Sequence, residues 1–554
     1  MSDREVPQVR IEDVDAVVGA LDEVVREAIA AAARRTSGGK TIDDHQVHSE
    51  RVAYVATEVL AARALAQYAR EAAGAGVDAG LMVDQAALFA AEITARLLGQ
   101  LAAFGGEFDL PAGLVERTIA SAESRSRVQL CAHEARVRSI GRRTADSRGA
   151  NNIWLPEEDA VMVRDSVRAF AAAEVAPLAA HIHRTDELVP DSLISAMAAM
   201  GYFGMSAPEQ YGGLGMGNLA MLVTTEELSR VSLAAAGSLI TRPEILTKAL
   251  LKGGTEEQKR KWLAPVAAGE LMVGIAVTEP DTGSDVASVA CRAERTRIGG
   301  REGWLINGAK AWCTFAGRAN VLALLARTDP DPKSGARGLS LFIVEKDAFY
   351  GHEFEMRQGG GGVLHGKADA TPGYRGMHSY TLSFENFFVD ADNLIGGEQG
   401  LNRGFYLQMS GFAAGRLQTG GRAAGLAQAA LEAAAGYALD RRQFGSPLIG
   451  FQLTQHKLGR MATYTQAARQ ISYLGARAMD ADETISLEPA MAKLLACDVA
   501  VAVTQEGQLL HGGWGYAEEY PISRYVVDAT VLPIFEGVKP ILELKVIARQ
   551  LLGG

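Results

Sequence analysis

Two kinds of hydrophobic pattern, and the order in which they occur, constrain the fold of this chain most. Ala-rich stretches with apolar residues three and four positions apart occupy residues 11–143, and they return over 157–269 and after Gly400. Between Met272 and Val389 the pattern changes to short β-branched and aromatic runs separated by Gly, Asp and Pro. The first pattern predicts amphipathic helices and the second predicts antiparallel strands. The chain is therefore predicted to place one sheet between helical regions.

The length of the chain and its polar breaks predict four structural parts. A chain of 554 residues exceeds the ~250–300 residues at which one hydrophobic core stops growing. The polar run from Arg142 to Asn152 (RRTADSRGANN) has the composition of a linker. We predict a mainly α protein with a β middle domain. Its parts are a helical extension over 1–150, a helical domain over 151–270, a β domain over 271–395 and a helical bundle over 396–554.

Charge and cysteine content argue against several classes of function. A formal net charge of −11 opposes non-specific binding to nucleic acid, which requires clustered Lys and Arg. The four cysteines are far apart and form no CxxC pair, so we predict no metal site and favour a reducing compartment. We find neither the apolar core of a signal peptide nor a run of ~18 apolar residues. We therefore expect a cytoplasmic protein that does not bind membranes.

Three short segments, far apart in the chain, carry the chemistry. They are Ala276–Asp285 (AVTEPDTGSD), Trp312–Thr314 (WCT) and Ile534–Gly537 (IFEG). Each alone is an ordinary turn or loop, but their order and spacing give the combination weight. Together they resemble the acyl-CoA dehydrogenase family over about residues 155–554. The resemblance implies bound FAD, α,β-dehydrogenation of an acyl-CoA, and a fold with a helical domain, a β-barrel-like domain and a four-helix bundle.

Removing hydrogens from the α and β carbons of a thioester requires a base for the proton and an acceptor for the hydride. Side chains offer no electron sink, so the hydride needs a cofactor, and the developing enolate needs hydrogen-bond donors. By the resemblance, Glu536 is the base, and Gly537 beside it contacts the thioester. Some relatives carry the base on a helix of the C-terminal bundle. The corresponding position here is Gly415, which removes that rival.

The same resemblance assigns the flavin ring to the first two segments. Thr278 and Thr314 correspond to hydroxyl residues at the edge of the isoalloxazine, and Trp312 corresponds to an indole packed against it. Ser284 is also a candidate contact of the pantetheine arm of the substrate. Because buried Trp is common, an ordinary core residue is the alternative interpretation of Trp312. The complete predicted ring set is Val277, Thr278, Gly283, Ser284, Trp312 and Thr314.

Segments nearer the carboxyl end resemble the part of the family that holds the FAD diphosphate and adenine of a neighbouring subunit. Arg441 and Phe444 lie in the stretch YALDRRQFG, Gln452 follows it, and Gly513 lies in a glycine turn. Arginine suits diphosphate because its fork donates two hydrogen bonds at once, and glycine allows close backbone approach. A flavin site shared between subunits implies a homodimer or homotetramer.

Two positions depart from the family pattern. Leu509 stands where many relatives carry Gln, and Val538–Pro540 (VKP) follows Gly537 where many carry Thr-Ser/Ala-Glu. In relatives both positions touch the adenine half of the flavin. We therefore expect the contacts to the adenine to differ here, whereas the ring site keeps the residues of the family.

The extension and the Gly-rich stretch Gln358–Gly362 most resemble family members that oxidise (2S)-methylsuccinyl-CoA to mesaconyl-CoA in the ethylmalonyl-CoA pathway. The methylsuccinyl group ends in a carboxylate, which needs a cation or several donors in a closed pocket. Arg242 lies on a helix that lines the acyl pocket of relatives and is the first candidate, with a structural salt bridge as the alternative. Further candidates for substrate contacts are Tyr374, Arg375, His378 and Arg416.

The electron acceptor is open to more than one interpretation. Members of the family pass electrons to electron-transfer flavoprotein, and we expect the same here. An acyl-CoA oxidase would keep every residue named above but deliver electrons to oxygen. A dehydrogenase for another short or branched acyl-CoA is a further alternative. A non-catalytic scaffold of the same fold is more remote, because Glu536, Trp312 and Thr314 are intact.

The first and last helical regions share a faint internal repeat. Gln46 precedes Arg63 by 17 residues, and Gln452 precedes Arg469 by the same 17. Ala-rich helices resemble one another by composition alone, so composition and duplication both account for the match. If the chain is duplicated, the extension is a degenerate copy of the C-terminal bundle, with no flavin of its own.

Overall fold

The computed structural model describes residues 7–150 and 153–553. They form two compact units. The first contains the chain up to Val161 and again from Thr419 onward, and the second contains Met162–Gln418. Both boundaries fall inside helices. The prediction of a mainly α protein with one β region is confirmed.

The first unit is helical apart from one short hairpin. Its amino-terminal helices are α1 (Ile11–Arg35), α2 (Gln46–Gly74), α3 (Gly80–Phe108), α4 (Leu114–Arg117), α5 (Ala122–Cys131), α6 (Glu134–Asp146) and the start of α7 (Glu158–Phe170).

The second unit places helices on both sides of the strands along the chain. After α7 come α8 (Ala176–Thr185), α9 (Asp191–Ala199), α10 (Gly217–Val231), α11 (Thr241–Gly253) and α12 (Glu256–Ala267). The strands are β1 (Val273–Ala276), β2 (Arg292–Ile298), β3 (Arg301–Thr314), β4 (Val321–Arg327), β5 (Leu339–Glu345), β6 (Glu353–Arg357), β7 (Val363–Ala368) and β8 (Ser379–Asp390). Helix α13 (Gly397–Gly400) and the start of α14 (Gly404–Asp440) follow them.

From Thr419 the chain returns to the first unit. After α14 it forms the hairpin β9 (Arg442–Gln443) and β10 (Ser446–Pro447), followed by α15 (Gln452–Ala481), α16 (Leu487–His511) and α17 (Ile522–Ala529). A last helical stretch begins with α18 (Lys539–Ile541), is π-helical over Leu542–Ala548 and ends with α19 (Arg549–Gly553).

The sheet of the second unit has the strand order β1-β4-β2-β3-β8-β7-β6, with β5 paired to β4. Strand β4 explains why this sheet packs on two sides, because its sequence VLALLAR is apolar at nearly every position. Leu322 and Leu324 point into a buried cluster that contains Trp304. Ala323 and Leu325 point into a second cluster, which contains Trp262 of α12. A continuous apolar run of this kind indicates a strand covered on both faces.

The predicted linker begins later than the sequence indicated. Residues 142–146 belong to helix α6, whose buried face packs on α15. A β-carbon added to Gly141 would lie 1.8 Å from the carbonyl oxygen of Gln455, so the two helices meet backbone to backbone. The polar residues after Gly141 give no sign of this contact, because its partner, Gln455, lies more than 300 positions away in the chain. Asn151 and Asn152 lie outside the described residues.

Helix α3 is long and apolar enough to cross a membrane by length and composition. Half of that window is already buried within the chain, and α3 packs on α1, α2 and α15 of its own unit. A core helix shows the same properties, so the helix carries little weight as evidence for a membrane span.

The internal repeat coincides with helix boundaries. Gln46 is the first residue of α2 and Gln452 is the first residue of α15, and the two helices differ in length by a single residue. Both helices are followed by another long helix, α3 and α16 respectively. The extension thus has the same succession of long helices as the carboxyl-terminal part.

Candidate active site

The first motif forms a loop directly after strand β1 in the second unit. Glu279 and Thr282 close a tight turn through two backbone hydrogen bonds, of 2.9 and 3.1 Å. Val277 is buried ahead of the turn, whereas Gly283 and Ser284 are exposed beyond it. The loop therefore has a buried root and an exposed rim of small polar residues.

A buried ion pair fixes the root of this loop, and sequence reasoning missed it. The ammonium of Lys310, on β3, is fully buried and donates to the carbonyl oxygen of Val277 (2.9 Å) and to Glu279 Oε1 (2.8 Å). The Glu279 carboxylate also accepts from the backbone N–H groups of Ala290 (2.7 Å) and Cys291 (2.8 Å). A buried charge is stable only when it is paired in this way. The available signal was Lys310 itself, the single lysine of β3, which stands between two alanines.

Strand β3 brings the second motif beside the first. The N–H of Ala311 donates to the carbonyl oxygen of Thr278 at 2.8 Å. The pairing of β3 with β8 then slips between Lys310 and Cys313, which is a β-bulge. Bulges re-aim side chains and are common beside active sites. Two of the predicted flavin segments therefore lie side by side in this unit.

Trp312 lies in the bulge with a left-handed backbone. Its φ is +58°, and its side chain is 60% exposed. The alternative that Trp312 is an ordinary core residue is wrong, because a core Trp such as Trp304 is only 4% exposed. A non-glycine residue in this conformation costs about 1–3 kcal/mol and is typical of functional sites. An exposed indole offers a stacking surface for a planar ligand.

Thr314 contacts the first residue of β8, and the residue after it contacts the loop that precedes β8. Its hydroxyl lies 3.0 Å from the hydroxyl of Ser379, and its side chain is 8% exposed. The next residue, Phe315, also has a left-handed backbone (φ +67°) and donates its N–H to the carbonyl oxygens of Met377 and His378. The position of Thr314 thus depends on the loop before β8.

Arg242 is a buried cation in helix α11. Its side chain is 4% exposed, and Nη1 donates to the carbonyl oxygen of Ser238 at 3.0 Å. Among the described residues, no carboxylate pairs with this guanidinium. The predicted alternative, a structural salt bridge, is therefore not found in the described part of the chain. An unpaired buried charge is costly, which makes Arg242 a candidate partner for an acid from outside the protein.

Arg375 and His378 converge on Asp186, at the end of α8. Arg375 Nε lies 3.5 Å from Asp186 Oδ1 and 3.2 Å from the carbonyl oxygen of Thr371, to which it donates. His378 Nε2 lies 3.1 Å from the same Asp186 oxygen. Burial lowers the pKa of His378, and the charge of Asp186 partly opposes that shift. Both predicted substrate contacts are thus engaged with this carboxylate.

The same cluster has three potential metal-ligand atoms within 4.8 Å of one another, from Asp186, His352 and His378. The rings of His352 and His378 have their centroids 4.5 Å apart. The guanidinium of Arg375 lies against the same carboxylate and would repel a cation there. The charges therefore favour an Asp–His–Arg clamp over a metal site.

Three other predicted positions lie in the second unit. Gly415 and Arg416 are inside helix α14, and Arg416 is 9% exposed. Tyr374 is 6% exposed and has a left-handed backbone, with φ +61°. Since Gly415 has no side chain, the helix offers no carboxylate at the position of the rival base.

The third motif lies in the first unit, in the loop between α17 and the last helical stretch. Glu536 is half-buried and has φ +54°, and Gly537 has φ +100°. Lys493 of α16, 1% exposed, donates to the carbonyl oxygen of Gly537 at 2.6 Å. Beside Glu536, the ring of Phe535 packs under the guanidinium of Arg422 at 4.7 Å. The candidate base therefore stands on a strained turn held by its neighbours.

A cleft of about 570 Å³ in the first unit contains two of the predicted dinucleotide contacts, Arg441 and Gly513. A β-carbon at Gly513 would meet nothing within 4 Å, so a ligand has room to approach the backbone. Leu509, at a departure from the family pattern, lines the same cleft. Phe444 is 94% exposed, and Gln452 is exposed at the start of α15.

Sequence reasoning missed an aromatic wall of this cleft. The rings of Tyr437 and His511 stack with their centroids 4.2 Å apart. His511 Nδ1 lies 2.7 Å from the carbonyl oxygen of Gly507, which fixes the ring, and burial lowers the pKa of His511. An uncharged stacked pair beside Arg441 suits a planar base next to a phosphate. No local spacing links Tyr437 to His511, which lie 74 positions apart.

Family models match nearly the whole chain. The model described as acyl-CoA dehydrogenase, N-terminal domain, matches residues 157–270, and that of the middle domain matches residues 274–387. The model of the C-terminal domain matches two stretches, residues 402–552 and residues 9–129. The second of these stretches is the helical extension.

Similar proteins and similar solved structures also include acyl-CoA dehydrogenases. (2S)-methylsuccinyl-CoA dehydrogenase of Cereibacter sphaeroides is 43% identical over 400 residues, which are 72% of this chain and 70% of the relative. Acyl-CoA dehydrogenase of Bacillus subtilis is 36% identical over 397 residues, which are 72% of this chain and 99% of the relative. A structure of glutaryl-coenzyme A dehydrogenase with glutaryl-CoA superposes with a TM-score of 0.64 at 30% identity, covering 71% of this chain and 95% of that chain.

Replacing Trp312 with alanine tests whether the exposed indole serves a ligand. We expect the free energy of unfolding of the flavin-free protein to change by less than about 0.5 kcal/mol, because the side chain is outside the core. The flavin content of the purified protein should fall. The matched variant Trp304→Ala should instead lose about 3–5 kcal/mol of stability. Denaturant titration and the ratio of flavin to protein absorbance measure both; full flavin content in Trp312→Ala would contradict the assignment.

Proposed function

We propose that this chain, which belongs to the acyl-CoA dehydrogenase family, oxidises (2S)-methylsuccinyl-CoA to mesaconyl-CoA. The reaction breaks one C–H bond at the α-carbon and one at the β-carbon and leaves a double bond between them. The proton goes to a carboxylate, and the hydride needs an acceptor, which FAD, the cofactor of this family, would supply. The observation that carries the proposal is a carboxylate, Glu536, held on a strained loop; the resemblance assigns the base to this residue.

Glu536 has the properties that proton abstraction requires. Partial burial limits the access of water to the Glu536 carboxylate. The left-handed backbone of Glu536 restricts the directions in which its side chain can point. The α C–H of a thioester is a weak acid, so precise placement of the base matters for the rate. The N–H groups of the same turn are suited to the thioester oxygen, on which negative charge develops.

The described residues fit FAD. The exposed indole of Trp312 offers a stacking face. Thr278 lies on the loop that pairs with the residue before Trp312, and Thr314 follows Trp312 by two positions, so both are candidates for polar contacts to the ring. Arg441 and Gly513 line a cleft that would take the diphosphate and adenine. When bound, FAD accepts the hydride from the β-carbon. In the family this cleft serves the flavin of a second subunit, so we infer a homodimer or homotetramer.

Arg242 supports a substrate with a second carboxylate. A methylsuccinyl thioester ends in an anion, and Arg242 is a buried cation that no carboxylate of the described chain neutralises. Pairing of the two would satisfy both charges. Arg375 and His378 are weaker candidates, because Asp186 already engages both. The 43% identity to a methylsuccinyl-CoA dehydrogenase points in the same direction.

We infer that the electrons pass to electron-transfer flavoprotein, as the family resemblance implies. An acyl-CoA oxidase would carry the same residues, so the two are separated by assay with a dye acceptor and with oxygen in parallel. We also infer a cytoplasmic location. All four cysteines are buried and free of disulfides, which fits a reducing compartment.

We infer further that the extension is a degenerate copy of the C-terminal bundle. The match of one family model to both stretches and the shared starting residues of α2 and α15 support this. The copy is proposed to hold no flavin of its own. Denatured protein should therefore release one FAD per chain by absorbance, and two per chain would contradict the proposal.

Replacing Glu536 with glutamine tests the base. The amide keeps the shape of the side chain but cannot accept the proton, so we expect the protein to stay yellow while kcat falls by about 10²–10⁴. The control Glu116→Gln, at an exposed position of α4, should leave both unchanged. An unaltered rate in Glu536→Gln would remove this residue as the base.

Replacing Arg242 with leucine tests the acyl group. We expect kcat/KM for methylsuccinyl-CoA to fall by about 100-fold, since an ion pair of this kind contributes about 2–5 kcal/mol. Activity with a neutral thioester such as butyryl-CoA should change far less, and Arg242→Lys should recover part of the loss. A panel of CoA thioesters measures the difference. Equal losses on acidic and neutral thioesters would mean a merely structural arginine and an unidentified carboxylate partner.

A further inference from the structure

The loop that bears Glu536 is joined to the helical extension by a chain of polar contacts. The ammonium of Lys539, three residues after Glu536, donates to Asp498 Oδ2 of α16 at 2.6 Å. The hydroxyl of Tyr54, on α2 of the extension, donates to the same oxygen at 2.7 Å. The ammonium of Lys539 also lies 4.9 Å from the centre of the Tyr54 ring. One carboxylate oxygen thus links the extension to the base loop.

This loop needs support from outside itself. Two successive residues, Glu536 and Gly537, have left-handed backbones, and the first of them has a side chain. Such a conformation persists only where the surroundings over-determine it. Within the loop, the N–H of Lys539 closes the turn on the carbonyl oxygen of Pro533 at 2.9 Å. Lys493 holds the carbonyl of Gly537, and on the carboxyl-terminal side the Lys539 side chain is bound by Asp498.

Lys539 lies among acidic residues. Glu543, 3% exposed, has its Oε1 3.9 Å from the ammonium, and burial raises the pKa of this carboxyl to about 7. Burial also raises the pKa of Glu50 on α2, while the charge of Lys539 lowers it. Asp498 and Glu543 therefore lie beside one ammonium, whose charge also acts on Glu50.

The extension holds this region at a second point. Helix α2 packs along the π-helical stretch Leu542–Ala548 that follows the loop. Nearby, the ammonium of Lys545 donates to Asp43 Oδ2, just ahead of α2, at 2.6 Å. The extension therefore contacts both the first residue of the last helical stretch and a residue farther along it.

We propose that Tyr54, Asp498 and Lys539 are positioning residues, through which the amino-terminal extension holds the catalytic loop in its left-handed conformation. This inference rests on the proposed function, because it assumes that Glu536 is the base. Lys539 lies where the sequence departs from the family pattern after Glu536-Gly537. The departure introduces the cation that the Asp498 carboxylate and the extension bind.

Tyr54→Phe is the most direct test, because it removes one oxygen and leaves every charge in place. A misplacement of about 1 Å far from the reacting atoms is enough to cost up to ~100-fold, so we expect kcat to fall by about 10-fold. KM and flavin content should stay within about two-fold of the unchanged protein. The control is Tyr68→Phe on the same helix, whose hydroxyl accepts from the N–H of Trp154 at 3.0 Å. That variant should retain its kcat.

The deuterium isotope effect on kcat separates positioning of the base from a purely structural role, because a loss of stability alone would leave it unchanged. If the base is misplaced, removal of the α-proton becomes slower relative to other steps. The deuterium isotope effect on kcat with an α-deuterated thioester should therefore rise in Tyr54→Phe and stay unchanged in Tyr68→Phe. An isotope effect and a kcat that are equal in the two variants would overturn the proposal.

A double-mutant cycle tests whether Tyr54 acts through the loop. Lys539→Met should lower kcat more than Tyr54→Phe, and Lys539→Arg should restore most of it, because an arginine keeps the charge beside Asp498. If Tyr54 acts through Asp498 and Lys539, the double variant Tyr54→Phe/Lys539→Met should be no slower than Lys539→Met alone. Fully additive losses would contradict a shared network. Should Lys539→Met not fold, the Tyr54→Phe comparison still decides.

Parallel measurement of Glu536→Gln separates this inference from the proposed function. If Glu536→Gln abolishes turnover while Tyr54→Phe behaves like Tyr68→Phe, the extension does not position the loop and the base assignment stands. If Glu536→Gln keeps its rate, the base assignment fails and the positioning proposal fails with it.

Discussion

A left-handed backbone at residues that carry large side chains is the constraint on which the candidate chemistry depends. Glu536 and Trp312 both adopt it, with φ near +54° and +58°. Each costs about 1–3 kcal/mol that a short loop cannot recover from its own hydrogen bonds. Both loops are therefore fastened to elements remote in sequence, Glu536 through Lys493 and Trp312 through the bulge opposite β8. Function here relies on packing of each unit as a whole.

Buried lysines recur as the fastening device. Lys310 and Lys493 each point an ammonium at the carbonyl oxygen of a functional loop, at Val277 and Gly537 respectively. Lys346 donates to three carbonyl oxygens in the same way, and burial lowers its pKa to about 7. An ammonium has three donors and a flexible stem, so it can gather carbonyls that no secondary structure satisfies. Its desolvation cost is offset by these charge-assisted hydrogen bonds.

Features contained within one stretch of sequence could be predicted, whereas contacts between residues far apart in the chain could not. The period of apolar residues is enough to indicate α2 or β4, because each pattern is complete within its own element. The motif around Thr278 likewise identified a loop. The clamp at Lys310 was not predictable, because Glu279 and Lys310 are 31 positions apart and nothing in either segment specifies the other. The prediction of a linker at Arg142–Asp146 was wrong for the same reason. The polar composition of these residues indicates a linker, whereas they belong to a helix that packs on the distant α15.

The extension and the altered sequence after Glu536 both supply donors to the same carboxylate, Asp498. A lysine at position 539 places an ammonium beside the half-buried carboxylate of Asp498, and the pair is stable only if the remaining acceptor sites of that carboxylate are also filled. Tyr54 fills one of them, and burial next to Asp498 raises the pKa of its phenol, so the hydroxyl stays a donor over the working range of pH. Without the extension, Asp498 would lose a donor and Lys539 would lose the aromatic ring beside it. The flavin-free copy of the bundle that we propose would thus serve catalysis by completing the polar contacts behind the loop of Glu536.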